Sequence, residues 1–177
     1  TEIHGARQAH ICDGIAVVKF LYWLENCWQN NIEIDEISAQ EKLFSLRKNH
    51  DHFSENSFET ISAFAENGAI IHYKSQPATN KKFTKNSLYL IDSGGQYFGK
   101  NFMATTDITR TIAIGQPTLE MIENYTLVLK GHINLARVKF PKGTTGSQLD
   151  ALARVHLWNC QKDYQHGTGQ DRKSTRL

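Results

Sequence analysis

The sequence has little of what marks secreted scaffolds, membrane proteins or nucleic-acid-binding proteins. Three cysteines, Cys12, Cys27 and Cys160, lie far apart in 177 residues, so the spacing fits neither a disulfide framework nor a CxxC metal clip. The formal net charge is only +2, which favours neither nucleic-acid binding nor membrane binding. No apolar run approaches the roughly 20 residues of a membrane-spanning helix, and no signal-peptide pattern opens the sequence. Together these absences favour a reduced, cytoplasmic setting.

The composition is that of an ordinary globular domain. Apolar residues make up 40% and charged residues 21% of the chain, as in typical soluble proteins. The length is sufficient for one domain with a real core. Predicted helices come first, then strands, then helices again, which indicates an α+β domain with helices packed on one face of a mostly antiparallel sheet.

Apolar periodicity predicts two helices in the first third of the chain. The first covers residues 7–28, and its apolar face consists of Ile11, Ile15, Val18 and Tyr22, broadened by Val17, Leu21, Leu24 and Trp28. Gly14 costs this helix about 1 kcal/mol of propensity, so we expect packing to compensate. The second helix, near 36–48, begins after the N-cap Asp35 and buries Ile37 and Phe44.

Two further helices are predicted near the end of the chain. One opens at Pro117 and Thr118 and runs to about residue 138. Its predicted buried stripe consists of Leu119, Ile122, Leu129, Ile133 and Ala136. The last helix begins near Ser147, which with Asp150 resembles a capping box, and runs to about residue 159.

The middle of the chain predicts strands. Residues 58–73 indicate two strands around the turn at Asn67, and 74–86 form a loop. Further strands are predicted near 88–92, 95–98 and 106–114. The last alternates in period two. One face carries Asp107, Thr109 and Thr111, and the other carries Ile108, Ile112 and Ile114.

Asp92 and Asp107 are the candidate metal ligands. Asp92 ends an apolar strand and precedes Ser-Gly-Gly, while Asp107 opens the alternating strand. Two carboxylates brought together by neighbouring strands need a cation or a proton between them, and Mn, Mg, Co or Zn suits such oxygen ligands. We expect the carboxylates to lie within about 5 Å of each other. The alternative is that Asp92 only forms a turn.

Several motifs together resemble those of the Xaa-Pro aminopeptidases (aminopeptidase P). These are "pita-bread" metallopeptidases related to creatinase, prolidase and methionyl aminopeptidase. The resemblance extends from about residue 7 to residue 169, and its motifs occur in the family's order. They are 7–14 with 23–25, 67–73, 92–97, 105–111, 130–132 with 140–144, and 163–169.

The resemblance implies a fold, a function and a cofactor. It implies an incomplete pita-bread catalytic domain over 1–169, with a curved antiparallel sheet and helices on its outer face. The activity would remove the N-terminal residue from peptides with proline second. Two divalent metal ions are implied, Mn with Zn or Co as alternatives, together with an Xaa-Pro peptide substrate. A homodimer is implied for the full-length protein.

Individual residues match the family's site only in part. Asp92 and Asp107 match two of five metal ligands, and His72 and His166 match histidines on the substrate side. Gln170 stands where the family has its ligand histidine, and the two ligand glutamates have no counterpart. Because two carboxylates hold a transition metal weakly, we expect this polypeptide alone to be inactive.

Two features depart from the family pattern. The aspartates stand fifteen positions apart, four more than is common, and we place the extra residues in a loop within 98–104. Since four is even, side-chain alternation can survive on both strands. Residues 170–177 are polar, basic and without periodicity, and we interpret them as a non-native tail, the alternative being a genuine disordered one.

Two other functions stay open. One is a non-catalytic peptide-binding module with this fold, and the other is a prolidase-like or creatinase-like hydrolase. His72 could also be an ordinary packed or solvated strand residue. The strings around His72 and Asp107 favour aminopeptidase P over its relatives.

Overall fold

The computed structural model describes residues 2–168, which form two compact units that divide between Pro117 and Thr118. The first unit contains helices α1 (Glu2–Gln29) and α2 (Glu36–Lys48). Its strands are β1 (Phe53–Asn56), β2 (Ile61–Phe64), β3 (Ser87–Ser93), β4 (Gly95–Gly99), β5 (Phe102–Thr105) and β6 (Ile108–Ile114). The second unit contains α3 (Leu119–Arg137) and α4 (Gly146–Trp158). None of the helices within 2–168 has both the length and the hydropathy needed to cross a bilayer.

All strand pairs in the first unit are antiparallel, which confirms the α+β class. The strands form two three-stranded sheets, in the orders β1–β4–β5 and β2–β3–β6. The chain passes from β3 of one sheet to β4 of the other through the single residue Gly94. A Cβ atom at Gly94 would lie 1.9 Å from the carbonyl oxygen of Thr106, so only glycine fits this junction.

Helices α1 and α2 pack against the β2–β3–β6 sheet through a shared apolar core. Its buried members are Val17, Phe20, Leu24, Cys27, Ile34, Ala39, Leu43, Phe64, Tyr89, Ile91 and Ile114. On β6, Ile114 is buried and Ile108 and Ile112 pack against the core. The predicted alternation of this strand is therefore confirmed.

The predicted buried face of α1 is partly wrong. Val17 and Leu24 are buried and Leu21 and Trp28 pack against the core, as predicted. Ile11, Ile15, Val18 and Tyr22 are 47–72% exposed. The buried side consists of Gly5, Ala9, Asp13, Ala16, Val17, Phe20, Leu24 and Cys27. Apolar residues occur on both sides of this helix. The side that is buried carries small residues, which allow close packing, and Asp13, which pairs with Arg47 of α2.

Helix α2 begins where the sequence predicts. The Asp35 carboxylate accepts a hydrogen bond from the Ser38 N–H at 2.7 Å, and Ser38 Oγ accepts one from the Asp35 N–H at 2.9 Å. Its predicted contacts are partly wrong, because Ile37 is only half-buried and Phe44 is 40% exposed. The buried positions are Glu36, Ala39, Leu43 and Arg47, two of them charged.

The strand prediction over 58–73 is wrong in its second half. After β2 the chain forms a 3-10 helix at Ala65–Ala69 and then a turn, with no strand among the described residues 65–86. His72 has a φ of +53°, a left-handed conformation that is incompatible with a strand.

Two strands were not predicted. The first is β1, which pairs with β4. The second is β5, which lies in the segment expected to be a loop and pairs with β4 from Gln96↔Thr105 to Gly99↔Phe102. The turn between them is only two residues long, Lys100 and Asn101. The longer spacing between Asp92 and Asp107 is thus accommodated by a regular hairpin, with alternation preserved.

The second unit has the predicted helices but not the predicted contacts. Thr118 caps α3 by accepting from the Met121 N–H at 3.2 Å. The expected buried stripe is wrong. Leu119, Ile122, Leu129 and Ile133 are 42–78% exposed and Ala136 is exposed. Within 119–137, all of which the structure describes, Gly131 is the buried residue, because α4 approaches α3 there.

The cap of α4 also differs from its prediction. The N-cap is Thr145, whose N–H donates to Gln148 Oε1 at 2.8 Å. Ser147 and Asp150 lie inside the helix, and Asp150 instead pairs with Arg154. The reciprocal pattern of a capping box is present, shifted by two residues from where it was expected.

Candidate metal and substrate site

Asp92 lies on β3, and Asp107 is the residue before the neighbouring strand β6. Strands β3 and β6 pair antiparallel with Asp92 opposite Thr109 and Ser93 opposite Ile108. Asp107 is two positions from Thr109, so the alternation of β6, continued to this residue, would direct it to the side of Asp92. Thr109 Oγ1 donates a hydrogen bond to Asp92 Oδ1 at 2.8 Å. Asp92 is half-buried and Asp107 is exposed, as ligands open to a substrate would be.

Ser93, which follows Asp92, and Thr106, which precedes Asp107, contact a buried ion pair that sequence reasoning missed. Arg47 on α2 and Asp13 on α1 are 1% and 0% exposed, and the Arg47 Nε to Asp13 Oδ1 distance is 2.6 Å. Arg47 Nη2 donates to Ser93 Oγ at 3.1 Å. The Thr106 hydroxyl donates to the Asp13 carboxylate and accepts from the Gly95 N–H at 2.8 Å.

Tyr97 on β4 lies close to the same pair. Its hydroxyl is buried beside Asp13 and Arg47. Burial, followed by the nearby Asp13 carboxylate, raises the pKa of Tyr97 well above its usual value. The phenol therefore stays neutral beside the ion pair.

The described residues include two carboxylates, Asp92 and Asp107, whose hard oxygen donors are of the type that Mn²⁺ and related ions bind. Within 2–168, however, no group of three or more histidine, cysteine, aspartate or glutamate side chains is arranged to hold an ion. Gln170, which stands at the family's ligand-histidine position, lies outside the described residues. The donor set fits one side of a metal centre.

His72 lies in an exposed turn whose flanks are anchored by Glu36. This carboxylate is 0% exposed, and each of its oxygens accepts two hydrogen bonds. Oε1 accepts from the Phe64 N–H at 2.7 Å and Asn67 Nδ2 at 2.9 Å. Oε2 accepts from the Tyr73 hydroxyl at 2.7 Å and the Lys81 N–H at 3.1 Å.

Glu36 therefore fixes the segment on both sides of His72. Asn67 precedes the turn, and Tyr73, the residue next to His72, is buried while His72 is exposed. Four donors to one carboxylate satisfy its buried charge. The one local sign of this role in the sequence is that Glu36 is an acidic residue in the first turn of a helix. An acidic residue at that position would equally fit a solvent-exposed side chain.

His166 lies in the second unit, on a segment attached to α4 by Arg154. The Arg154 guanidinium pairs with Asp150 at 2.5 Å and Asp163 at 2.7 Å, and its Nη2 donates to the His166 carbonyl oxygen at 2.9 Å. The His166 ring is exposed, and its Nδ1 lies 2.7 Å from the Gly167 carbonyl oxygen. The main chain of His166 is thus held while its ring faces solvent.

The acids around Arg154 are stabilised in their charged forms. Hydrogen bonds from Arg154 and Thr168 lower the pKa of Asp150 below its usual value. Hydrogen bonds from the Trp158 side chain and Arg154 lower the pKa of Asp163. The segment that carries His166 is therefore held by ionised carboxylates at neutral pH.

Comparison with known proteins places this arrangement in a family. Residues 4–170 match the pattern of Metallopeptidase family M24. The chain is 47% identical over 169 residues to a probable Xaa-Pro aminopeptidase P of Arthroderma gypseum, covering 95% of this chain and 26% of that protein. It is 48% identical to the corresponding protein of Phaeosphaeria nodorum, covering 95% and 25%. The chain thus spans about a quarter of the length of the curated relatives it matches.

Solved structures agree in fold. The X-prolyl aminopeptidase from Caenorhabditis elegans, described as a cytosolic enzyme with a di-nuclear active site, matches with a TM-score of 0.87 and 43% identity, over 94% of this chain and 27% of that one. An Xaa-Pro dipeptidase from Bacillus anthracis matches at 0.71 with 23% identity, over 90% and 41%, and shows the fold alone. The helices and antiparallel sheets match part of the pita-bread fold, and the chain belongs to metallopeptidase family M24.

Proposed function

We propose that this chain is part of a metal-dependent aminopeptidase that removes the N-terminal residue from peptides with proline at the second position. The observation that supports the proposal is the placement of Asp92 on β3 and of Asp107 directly before the paired strand β6, in a chain 47% identical to a probable Xaa-Pro aminopeptidase P. A binding module has no need of two such carboxylates on one face, since they repel each other without a cation.

In this proposal each candidate residue has a defined role. Asp92 and Asp107 would hold two divalent ions, Mn²⁺ with Zn²⁺ or Co²⁺ as alternatives, together with ligands from outside residues 2–168. The ions, when bound, would polarise the scissile peptide carbonyl as Lewis acids. His72 would donate a hydrogen bond to the peptide as charge develops on it, and His166 would lie beside the substrate.

For the whole protein, residues 1–169 would form part of the catalytic domain. Residues 170–177, interpreted above as a non-native tail, lie outside the described residues. The protein would act in the cytoplasm, as the C. elegans relative is described as doing, and would form a homodimer. Its partner would be a peptide that begins with Xaa-Pro, not a nucleic acid or a membrane.

Activity with and without the missing ligands tests this function. With Mn²⁺, the 177-residue chain should not cleave an Xaa-Pro peptide above background, because too few ligands are present. A version with Gln170→His, continued by the corresponding segment of a relative, should cleave it. Cleavage by the unmodified chain would contradict the ligand assignment, and an inactive, folded, metal-loaded extended version would contradict the function.

Substrate length separates the aminopeptidase from a prolidase. The extended version should cleave a tripeptide or longer peptide with proline second. A prolidase-like enzyme would accept only the Xaa-Pro dipeptide, so cleavage restricted to the dipeptide would favour that alternative.

A further inference from the structure

We propose that the buried Asp13–Arg47 ion pair is a positioning device that fixes the separation of the strand ends carrying Asp92 and Asp107. The inference rests on the proposed function, because it assigns those two aspartates to the metal. It concerns Asp13 on α1 and Arg47 on α2, which contact Thr106 and Ser93, the neighbours of the two aspartates.

The pair reaches both strand ends at once. Ser93 follows Asp92 and receives a hydrogen bond from Arg47 Nη2 at 3.1 Å. Thr106 precedes Asp107 and donates its hydroxyl hydrogen bond to the Asp13 carboxylate. Side chains alternate across a strand, so anchoring Ser93 and Thr106 behind the sheet sets where the next side chains emerge in front.

The guanidinium fork links the two anchors rigidly. Arg47 Nε and Nη2 lie 2.6 and 3.2 Å from the two Asp13 oxygens, the bidentate geometry that gives an arginine–carboxylate pair a fixed orientation. The oxygen that contacts Nη2 also accepts from Thr106. One planar unit therefore connects Ser93 to Thr106, with both charged side chains at most 1% exposed.

Two backbone features reinforce the same junction. The Thr106 hydroxyl accepts from the Gly95 N–H at 2.8 Å, and the Thr106 N–H donates to the Gly95 carbonyl oxygen at 2.9 Å. The missing side chain of Gly94 lets the Thr106 carbonyl approach. Thr106, the residue before Asp107, thus forms backbone and side-chain contacts with Gly95 at the bend between the two sheets.

Stability alone does not require an ion pair at this place. Replacing a buried pair by apolar residues of similar volume is often neutral or stabilising, whereas removing one partner leaves a costly buried charge. The double variant Asp13→Leu with Arg47→Met should therefore retain the fold while removing the link to Ser93 and Thr106. This double variant therefore distinguishes a positioning role of the ion pair from a purely structural role.

The experiment uses the 177-residue chain and two readouts. Hydrogen–deuterium exchange of peptides covering 88–98 and 102–109 reports the strand ends without metal, and Mn²⁺ binding is followed by electron paramagnetic resonance of the free ion. The variants are the double variant and the milder Ser93→Ala. An Asp92→Asn, Asp107→Asn variant defines nonspecific Mn²⁺ binding.

Ser62→Ala is the matched control. Ser62 is equally buried and its hydroxyl bonds to the Glu36 carbonyl oxygen at 2.7 Å and the Tyr89 hydroxyl at 2.8 Å. It lies on β2, beside β3, but does not contact the ion pair. Loss of the Ser62 hydroxyl should lower the midpoint of urea unfolding without selectively accelerating hydrogen–deuterium exchange at 102–109.

We expect faster hydrogen–deuterium exchange at both strand ends in the double variant. We also expect its Mn²⁺ affinity to fall by about 10-fold, which is the smallest effect typical of losing a residue that orients metal ligands without binding the metal. Unchanged exchange, or faster exchange with wild-type Mn²⁺ affinity, would overturn the inference. If wild-type binding is no stronger than in the Asp92→Asn, Asp107→Asn variant, the proposed metal site itself is overturned, which is a distinct result.

Discussion

A Cβ atom on Gly131 of α3 would lie 2.1 Å from the carbonyl oxygen of Ala153 on α4. The two helices of the second unit therefore touch through main chain, at a distance that no side chain on residue 131 permits. Gly14 on α1 is the opposite case. Among the described residues, no atom outside its own helix and chain neighbours comes within 4 Å of a Cβ built there.

Gly131→Ala should lower the free energy of unfolding by about 1–3 kcal/mol, because the helices must separate to admit the methyl group. Gly14→Ala is the matched control and should raise it by roughly 0.5–1 kcal/mol, through the loss of glycine's backbone entropy. Urea unfolding followed by circular dichroism measures both. The two substitutions should change the free energy of unfolding in opposite directions. Equal changes would contradict the main-chain contact between α3 and α4.

Glu36→Gln should release the turn that carries His72. The amide has one acceptor oxygen where the carboxylate has two, so two of four buried donors lose their acceptor. A loss of about 2–4 kcal/mol is expected from two unsatisfied buried groups, with faster hydrogen exchange over 65–81. Glu66→Gln is the control, since Glu66 is 77% exposed in its pair with Lys81. Equal exchange in both variants would remove the anchoring role of Glu36.

The Arg154 cluster predicts a pH dependence in the second unit. The pKa of Asp150 is lowered from 3.8 by Arg154 first and then Thr168. A carboxylate with a lowered folded pKa contributes stability that is complete above its unfolded pKa and is lost as the pH falls through the folded value.

The difference in thermal midpoint between wild type and Arg154→Met should therefore be constant near neutral pH and should shrink below about pH 3.8. Thermal unfolding followed at 222 nm between pH 7 and pH 2.5 measures it. The Arg154 guanidinium also lies over the Tyr164 ring, with its central carbon 5.4 Å from the ring centroid. A difference that does not change with pH would mean that Arg154 acts through this packing and not through its ion pairs.

His72→Ala should separate substrate contact from metal binding. In the extended, active version, kcat should fall by roughly 10²–10³-fold, typical of one lost transition-state donor, with metal content unchanged. Asp92→Ala or Asp107→Ala should instead abolish turnover together with metal binding. Activity assays paired with metal analysis distinguish the two. Metal loss in His72→Ala would make His72 a ligand, and wild-type kcat would remove it from the reaction.

What the sequence predicts well is set by local rules. The alternation of Ile108, Ile112 and Ile114 follows from strand geometry and is confirmed by their burial. The Asp35 cap and the start of α3 at Thr118 follow from short side-chain contacts to nearby N–H groups. Each of these depends on residues within one element.

What the sequence missed depends on contacts between distant residues. Asp13 and Arg47 are 34 positions apart, and a buried pair looks in sequence like two surface charges. This pair helps to select the buried side of α1, so Ile11 and Tyr22 were placed on the wrong face. The turn at His72 was missed for the same reason, because Glu36 holds it from another helix.

Anomalous X-ray diffraction at the manganese edge, from crystals of the chain grown with Mn²⁺, tests whether Asp92 and Asp107 bind the metal together. We predict a peak bonded to both the Asp92 and Asp107 carboxylates, on the side of the sheet away from Arg47. A folded chain with no peak at these carboxylates, or with the two carboxylates directed to opposite faces, would contradict it.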